Sequence, residues 1–343
     1  MIVTDNQVLK VNLIQENFPK ELLICVKERL LELDIEADIV ADQSEATNSK
    51  TVVFDFQESQ KSQQLSVDDC IEQIIQKIPF DFDELPLLIE GESKIVKLLN
   101  SKIVVEQFKP TVYSYTHNRY GIVEKTDDLR VKFTSEVFRR MRKNATETGK
   151  ELKNAFLACI EHPQGLLLVQ QRVNTSNLEV RVKRYHVGSP VHRYRYTEQY
   201  HTLQKGHSPL KKWSRFDRPI VCFDWRNPLT DENDVRLADE PISDDYASIW
   251  IKDVAKAKKL ASETFEWLES LFAKSNLVLV DICFFIDEDG TSVFGEISPD
   301  CMRVRSGIHP DDTSYDKDLW RKGEKESTVA QKYEELYQLI FNN

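Results

Sequence analysis

Three observations predict an α+β chain of more than one lobe. At 343 residues the chain is long enough for two or three modest domains. Short apolar runs of strand length fall at Leu87–Ile89, Ile103–Val105, Ala155–Ile160 and Leu166–Val169, with one helix between the second and third. That order suits an antiparallel lobe. A long helical pattern from Asp244 to Ala273 leads straight into Leu277–Val280, the helix-then-strand unit of a larger α/β lobe. Domains are accordingly expected at 1–86, an N-terminal α/β module; 87–165, an antiparallel lobe suited to a nucleotide; and 166–343, a larger α/β lobe.

Composition narrows the class. Hydrophobic residues make up 41% and charged residues 30%, as in a soluble globular protein. The net charge of −11 argues against nucleic acid as the partner. No apolar run reaches the roughly 20 residues of a membrane span. The N-terminus has no basic segment followed by an apolar core, so no signal peptide is expected. Six cysteines stand singly at 25, 70, 159, 222, 283 and 301, without a CxxC pair. Neither a disulfide framework nor a zinc site follows, and a reducing cytoplasm is the simplest location.

In chain order, Val8–Ile14 alternates as a strand and Pro19–Leu33 has helical apolar spacing. Ile35–Val40 and Thr51–Phe56 are further strands, Val67–Ile78 is a second amphipathic helix, and residues 79–86 form a linker. This module shows no catalytic constellation. Glu90-Gly91-Glu92-Ser93-Lys94 is a tight turn between strands, a hairpin that can cover phosphates with backbone N–H groups and one lysine. Most such hairpins are only hairpins. Thr134–Arg142 reads as a basic helix.

Residues 166–235 are the basic part of an acidic chain. Val180 and Val182 alternate with Arg181 and Lys183, as in a half-buried strand, before a turn at Gly188-Ser189. A hydroxyl, exposed N–H groups and several cations make a phosphate site there. Interleaved Tyr185, Tyr194, Tyr196 and Tyr200 leave RNA stacking as an alternative that the overall charge disfavours. Leu277–Arg305 reads as a strand interrupted at Asp281, a turn at 287–290, a return strand from Val293, and a polar loop holding Glu296, Asp300 and Arg303. An acidic hairpin tip and an anion-binding site fit this stretch equally. Thr328–Phe341 closes the chain as an amphipathic helix.

Taken together, these pieces resemble the phosphoribosylaminoimidazole-succinocarboxamide synthase (SAICAR synthetase) family over about residues 87–343. The matching pieces are the hairpin Glu90–Lys94; Glu179 with Gly188, Ser189 and Arg193; Leu279-Val280-Asp281; Glu296-Ile297-Ser298-Pro299-Asp300 with Arg303; and Asp316-Lys317-Asp318 with Arg321. The resemblance implies a two-lobe fold, a kinase-like ATP lobe plus a larger, substrate-binding α/β lobe at 166–343, with residues 1–86 as an addition. It implies an ATP-dependent carbon–nitrogen ligase that joins the carboxylate of a phosphorylated substrate to an amino-acid amine. Such a carboxylate has no useful leaving group until phosphorylation supplies one, and Mg²⁺ offsets the charge of the transferring phosphate.

Carried over by position, Gly91 and Lys94 face the nucleotide. Ser189, Arg193, Arg303, Lys317 and Arg321 bind substrate, and Asp281, Glu296 and Asp300 serve the chemistry. The departures are Cys283 for a lysine, Phe285 and Gly295 for acids, Glu92 for the first hairpin lysine, and Lys183-Arg184 for an Arg-Asn pair. Phenylalanine and glycine side chains offer Mg²⁺ no oxygen. Glu296 and Asp281, with Asp287 nearby, are left as the expected metal ligands. The expectation is therefore a divergent ligase. Its alternative is a homologue that has lost ATP and Mg²⁺ chemistry and works as a different enzyme or a ligand-binding protein. The family analogy also allows a homo-oligomer.

Overall fold

The computed structural model describes residues 9–15, 19–41, 51–55, 65–114, 119–188, 197, 210–228, 230–235, 237–309 and 311–342. They divide into two compact units, 1–109 with 155–173, and 110–154 with 174–343. These units cut across the expected boundary at 165. The N-terminal module and the antiparallel sheet share one unit, and residues 110–154 belong to the other.

In the first unit, strands β1 (Lys10–Ile14), β2 (Glu36–Val40) and β3 (Thr51–Phe54) form a parallel sheet in the order β2-β1-β3. Helices α1 (Lys20–Glu32) and α2 (Val67–Lys77) accompany it, the latter opened by a reciprocal Ser66–Asp69 capping box. Strands β4 (Leu87–Glu90), β5 (Lys94–Leu98), β6 (Ile103–Phe108), β9 (Phe156–His162) and β10 (Gly165–Gln171) form an antiparallel sheet, order β4-β5-β6-β10-β9. The apolar stripes of both helices (Leu23, Val26, Leu30; Cys70, Ile71, Ile74) join Ile103, Val105, Leu157, Leu167 and Val169 in one core. Asn100 donates to the Leu33 carbonyl at 2.8 Å and Gln76 to that of Cys159 at 3.0 Å. The expected linker is packed too. Phe82 is buried, and Lys97 donates to its carbonyl at 2.9 Å.

In the second unit, β7 (Thr111–Ser114) pairs with β8 (Arg119–Ile122). The main sheet has the order β13-β12-β11-β14-β15, from β13 (Glu240–Ile242), β12 (Arg215–Trp225), β11 (Leu178–Tyr185), β14 (Val278–Ile286) and β15 (Val293–Phe294). Strand β16 (Met302–Arg305) also pairs with β14. The helices are α3 (Thr126–Thr148), α4 (Asp244–Ala247), α5 (Val254–Ala273), α6 (Asp318–Arg321) and α7 (Glu326–Phe341).

Three local expectations are corrected. The helix expected from 244 breaks between α4 and α5, where the Asp253 side chain caps α5 by accepting from the Lys256 N–H, and Ile249 lies 65% exposed. The basic helix expected at 134–142 begins at Thr126, a full two turns earlier. Asp281 does not interrupt its strand, because cations from β11 and β16 neutralise it in place.

Strand alternation sorts the main sheet into two faces. Val180 and Val182 of β11 lie beside Phe284 and Ile282 of β14 and are buried; α5 packs against these strands. Arg184 shares this face and clamps α5 through Glu269, at 2.6 and 2.8 Å. The opposite face carries Arg181 beside Cys283 and Lys183 beside Asp281.

Candidate functional site

The polar face of this sheet begins with one carboxylate shared by two cations. Asp281 Oδ2 accepts from Lys183 Nζ and, at 2.6 Å, from an Arg303 NH group. Lys183 and Asp281 are buried partners across the β11–β14 ladder, and Arg303 is the β16 partner of Asp281. Burial alone would raise the Asp281 carboxyl, but Arg303 and Lys183 outweigh it and hold it down to about 2. Burial lowers the pKa of Lys183, opposed by Asp281.

Arg303 extends the chain of charges. Its Nε donates to Asp318 at 3.2 Å, and Arg321 donates to Asp318 at 2.5 Å. The connecting Asp-Lys-Asp turn is tied to β16 by buried Asp316, which accepts the N–H groups of Val304 and Asp318, each at 2.7 Å. Burial, with the Asp318 charge beside it, pushes Asp316 up to about 7. Gly188 closes over the same guanidinium. Its φ is +76°, and a Cβ there would lie 2.9 Å from an Arg303 nitrogen. Glycine suits this position through both its backbone conformation and the close approach.

A second group holds the Ser-Pro-Asp loop. Arg130 of α3, fully buried, donates to both oxygens of Glu296 at 2.7 and 2.8 Å. Ser298 Oγ donates to Glu296 at 2.5 Å, and Thr134, one turn along α3, bonds the backbone of Ile297. Asp300 accepts from Lys317 at 2.7 Å and from the Tyr333 hydroxyl at 3.3 Å.

Farther along the polar face, Arg181 pairs with Asp224 at 2.5 Å, and its Nε is buried without a hydrogen-bond partner. Burial raises the Cys283 thiol well above its usual range. Phe285 packs on the Phe294 ring at 5.5 Å and beneath the Arg226 guanidinium at 5.6 Å.

The expected substrate residues Arg303, Lys317 and Arg321 thus join Asp281, Glu296 and Asp300 in the second unit, each in a specific ion pair. Gly91 and Lys94 lie on the β4–β5 hairpin of the first unit. Gly91 N–H donates to the Lys94 carbonyl at 2.9 Å, and Lys94 Nζ to Glu106 at 2.7 Å. Ser189, Arg193, Tyr194, Tyr196 and Tyr200 lie outside the described residues. Sequence reasoning missed Arg130, Asp318 and Tyr333 as site-organising residues. Arg130 had a readable signal: it falls on the apolar stripe of α3 with Thr134, Val137 and Met141.

The donor set does not fit a magnesium ion. Both Glu296 oxygens are engaged by Arg130, and Asp281 Oδ2 holds two cations. Asp287 closes its own turn by accepting from Thr291 N, Thr291 Oγ1 and Ser292 N at 2.6, 2.7 and 3.0 Å. Among the described residues no group of three or more histidine, cysteine or acidic side chains is placed to hold a metal. Mg²⁺ requires near-octahedral oxygen ligands, and taking these would leave buried cations unpaired.

Comparison with known proteins places this geometry. A family model described as SAICAR synthetase matches residues 87–338, so the N-terminal module precedes the matched span. The phosphoribosylaminoimidazole-succinocarboxamide synthase of Methanocaldococcus jannaschii is 24% identical over 255 residues, covering 74% of this chain and 90% of that protein. The enzyme of the same name from Staphylococcus saprophyticus is 28% identical over 247 residues, covering 69% and 92%. Among solved structures, a type-2 SAICAR synthetase in complex with ADP aligns with a TM-score of 0.56 at 23% identity, over 74% of this chain and 97% of its own. The Saccharomyces cerevisiae SAICAR synthase complexed with SAICAR aligns with a TM-score of 0.58 at 18% identity, over 77% and 98%. The shared fold, the ordered motifs and the matched span agree: this chain belongs to the SAICAR synthetase family.

Proposed function

We propose that this chain is an amide-forming ligase that retains the family's grip on a phosphorylated carboxylate substrate and has altered chemistry around it. One observation carries the reading. Lys183, Arg303 and Arg321 are joined in one network of ion pairs through Asp281 and Asp318. Arg303 and Arg321 keep part of their side chains exposed, and an incoming phosphate would meet them through charge-assisted hydrogen bonds. Arg303 is fixed from three sides, by Asp281, by Asp318 and by the glycine at 188, so it is pre-organised for an anion. Lys317 and Tyr333 hold the Asp300 carboxylate in place.

ATP would supply the phosphoryl group that turns the carboxylate into an acylating agent, and an amino-acid amine would take the acyl group. The binding of ADP by a relative supports a nucleotide here. The changes at Cys283, Phe285 and Gly295 support a substrate pair other than the housekeeping one, in a specialised pathway. All six cysteines are free thiols, which supports a cytoplasmic setting. A second reading, a ligand-binding homologue without ATP chemistry, is favoured by the engagement of Glu296, Asp281 and Asp287 in internal bonds.

Titration calorimetry with ATP, in magnesium and in EDTA, alone and with an imidazole ribotide, separates the two. The ligase reading expects nucleotide binding, followed by ADP release when candidate carboxylates and amines are added. Ribotide binding with no nucleotide affinity in any buffer would establish the second reading instead.

A further inference from the structure

The hairpin that carries Gly91 and Lys94 starts where the family-matched span starts, at residue 87. Its first strand, β4, lies at the edge of the antiparallel sheet and pairs with β5 alone. All four β4 residues are exposed, Leu87 at 57% and Ile89 at 61%. An edge strand without buried side chains has no core packing of its own to fix it. Its position is set by the β5 ladder on one side and by the chain that enters it.

The entering chain is anchored by one ammonium. Lys97 of β5 donates to two carbonyls of the connector, Phe82 at 2.9 Å and Asp83 at 3.0 Å, and lies 4.7 Å from the centre of the Phe82 ring. Charge-assisted bonds and a cation over an aromatic face act here on the same two residues. Phe82 is buried edge-on to His162 of β9, and Gln164 of the β9–β10 turn donates to the Asp83 carboxylate at 3.1 Å. The far end of β5 is tied to the same module, since Asn100 donates to the Leu33 carbonyl and Ser101 to Asp34. The tip of the hairpin has separate ties. Lys94 donates to Glu106, and Lys109 donates to Glu90 and to the Gly91 carbonyl. These shape residues 90–94 and leave the start of β4 to the connector.

We propose that residues 1–86 are the mount of this hairpin, and that Lys97 is the positioning residue that holds the connector, and through it β4 and Gly91, in the conformation that receives a nucleotide. The proposal rests on the ligase reading above, in which Gly91 and Lys94 face the nucleotide. It gives the added module a role in nucleotide affinity through the lobe it is packed against. The test is ADP binding by titration calorimetry on the full chain. Lys97→Met should weaken binding about 5-fold or more, the low end of a coupling between separate sites. Lys97→Arg keeps a cation and its donors at the connector and should bind within about 2-fold of the wild type. Gln76→Ala removes a bond from the module to the Cys159 carbonyl, away from the hairpin, and should leave affinity as it is.

A second measurement uses the wild-type protein and does not depend on any variant folding. Coupling is reciprocal, so an anchor that favours the nucleotide is itself steadied by it. Hydrogen exchange should therefore slow on adding ADP at residues 80–85 as well as at 87–94. Wild-type affinity in Lys97→Met overturns this proposal and leaves the ligase reading standing. Equal losses in Lys97→Met and Gln76→Ala, or protection confined to 87–94, do the same. Failure of the wild-type protein to bind ADP ends both.

Discussion

The two ends of β14 face one side of one sheet and have opposite chemistry. At Asp281, charge is dense and mutually compensated: Lys183, Arg303, Asp318 and Arg321 follow one another in a chain of ion pairs. At Phe285, four residues on, the partners are an aromatic ring and the face of a guanidinium. The difference separates two kinds of polar residue. A buried charge whose partner is another side chain is locked in, because removing either one strands the other. An acid whose partner is a ligand makes no such demand on the folded chain. It can give way to phenylalanine or glycine with little penalty. The Asp281 end of the strand is of the first kind, and the end at Phe285 has the character of the second.

The largest effect that would sharpen this contrast is expected from Arg130→Met. It leaves Glu296 buried without its cation, and should cost about 3–5 kcal/mol in urea unfolding. A cost below about 1 kcal/mol would mean that Glu296 is free to serve another partner.

Acid titration is the next test. The Asp281 carboxyl is held below its ordinary value of 3.8, at about 2. Its contribution is therefore fully present above the ordinary value and is lost as pH falls through the lowered one. That amounts to about 2 kcal/mol, visible as an acid limb in stability that Asp281→Asn should flatten. An identical limb in the variant would assign acid sensitivity elsewhere.

Arg303→Ala should weaken binding of ribose 5-phosphate about 10- to 100-fold, the loss of charge-assisted hydrogen bonds. Unchanged affinity by calorimetry would remove Arg303 from the anion site. The smallest change is expected at the other end of the strand. Phe285→Leu should cost less than about 1.5 kcal/mol and leave ribose 5-phosphate affinity as it is. A loss of affinity there would show that the two ends are not separable.

Much of this was legible in the chain. The alternation of Val180 and Val182 with Arg181 and Lys183 announces a strand with one apolar and one charged face, and the sheet has that form. The order of the Gly-Ser, Ser-Pro-Asp and Asp-Lys-Asp pieces identifies the family, since motif order belongs to the chain itself. The departures at Cys283, Phe285 and Gly295 are what the resemblance implies. The expected role of Glu296 and Asp281 as metal ligands could not be judged there, because acids look alike until their partners are known.

Those partners are set by tertiary structure alone. Lys183 meets Asp281 across 98 positions of sequence, and Arg130 meets Glu296 across 166. Local periodicity says which face of a strand or helix a charge occupies. Strand register and helix packing decide which opposite charge stands in front of it, and both are products of long-range contacts. The sequence by itself therefore determined the fold family and the polar face. Only the folded chain decided that Asp281 and Glu296 are already occupied by its own cations.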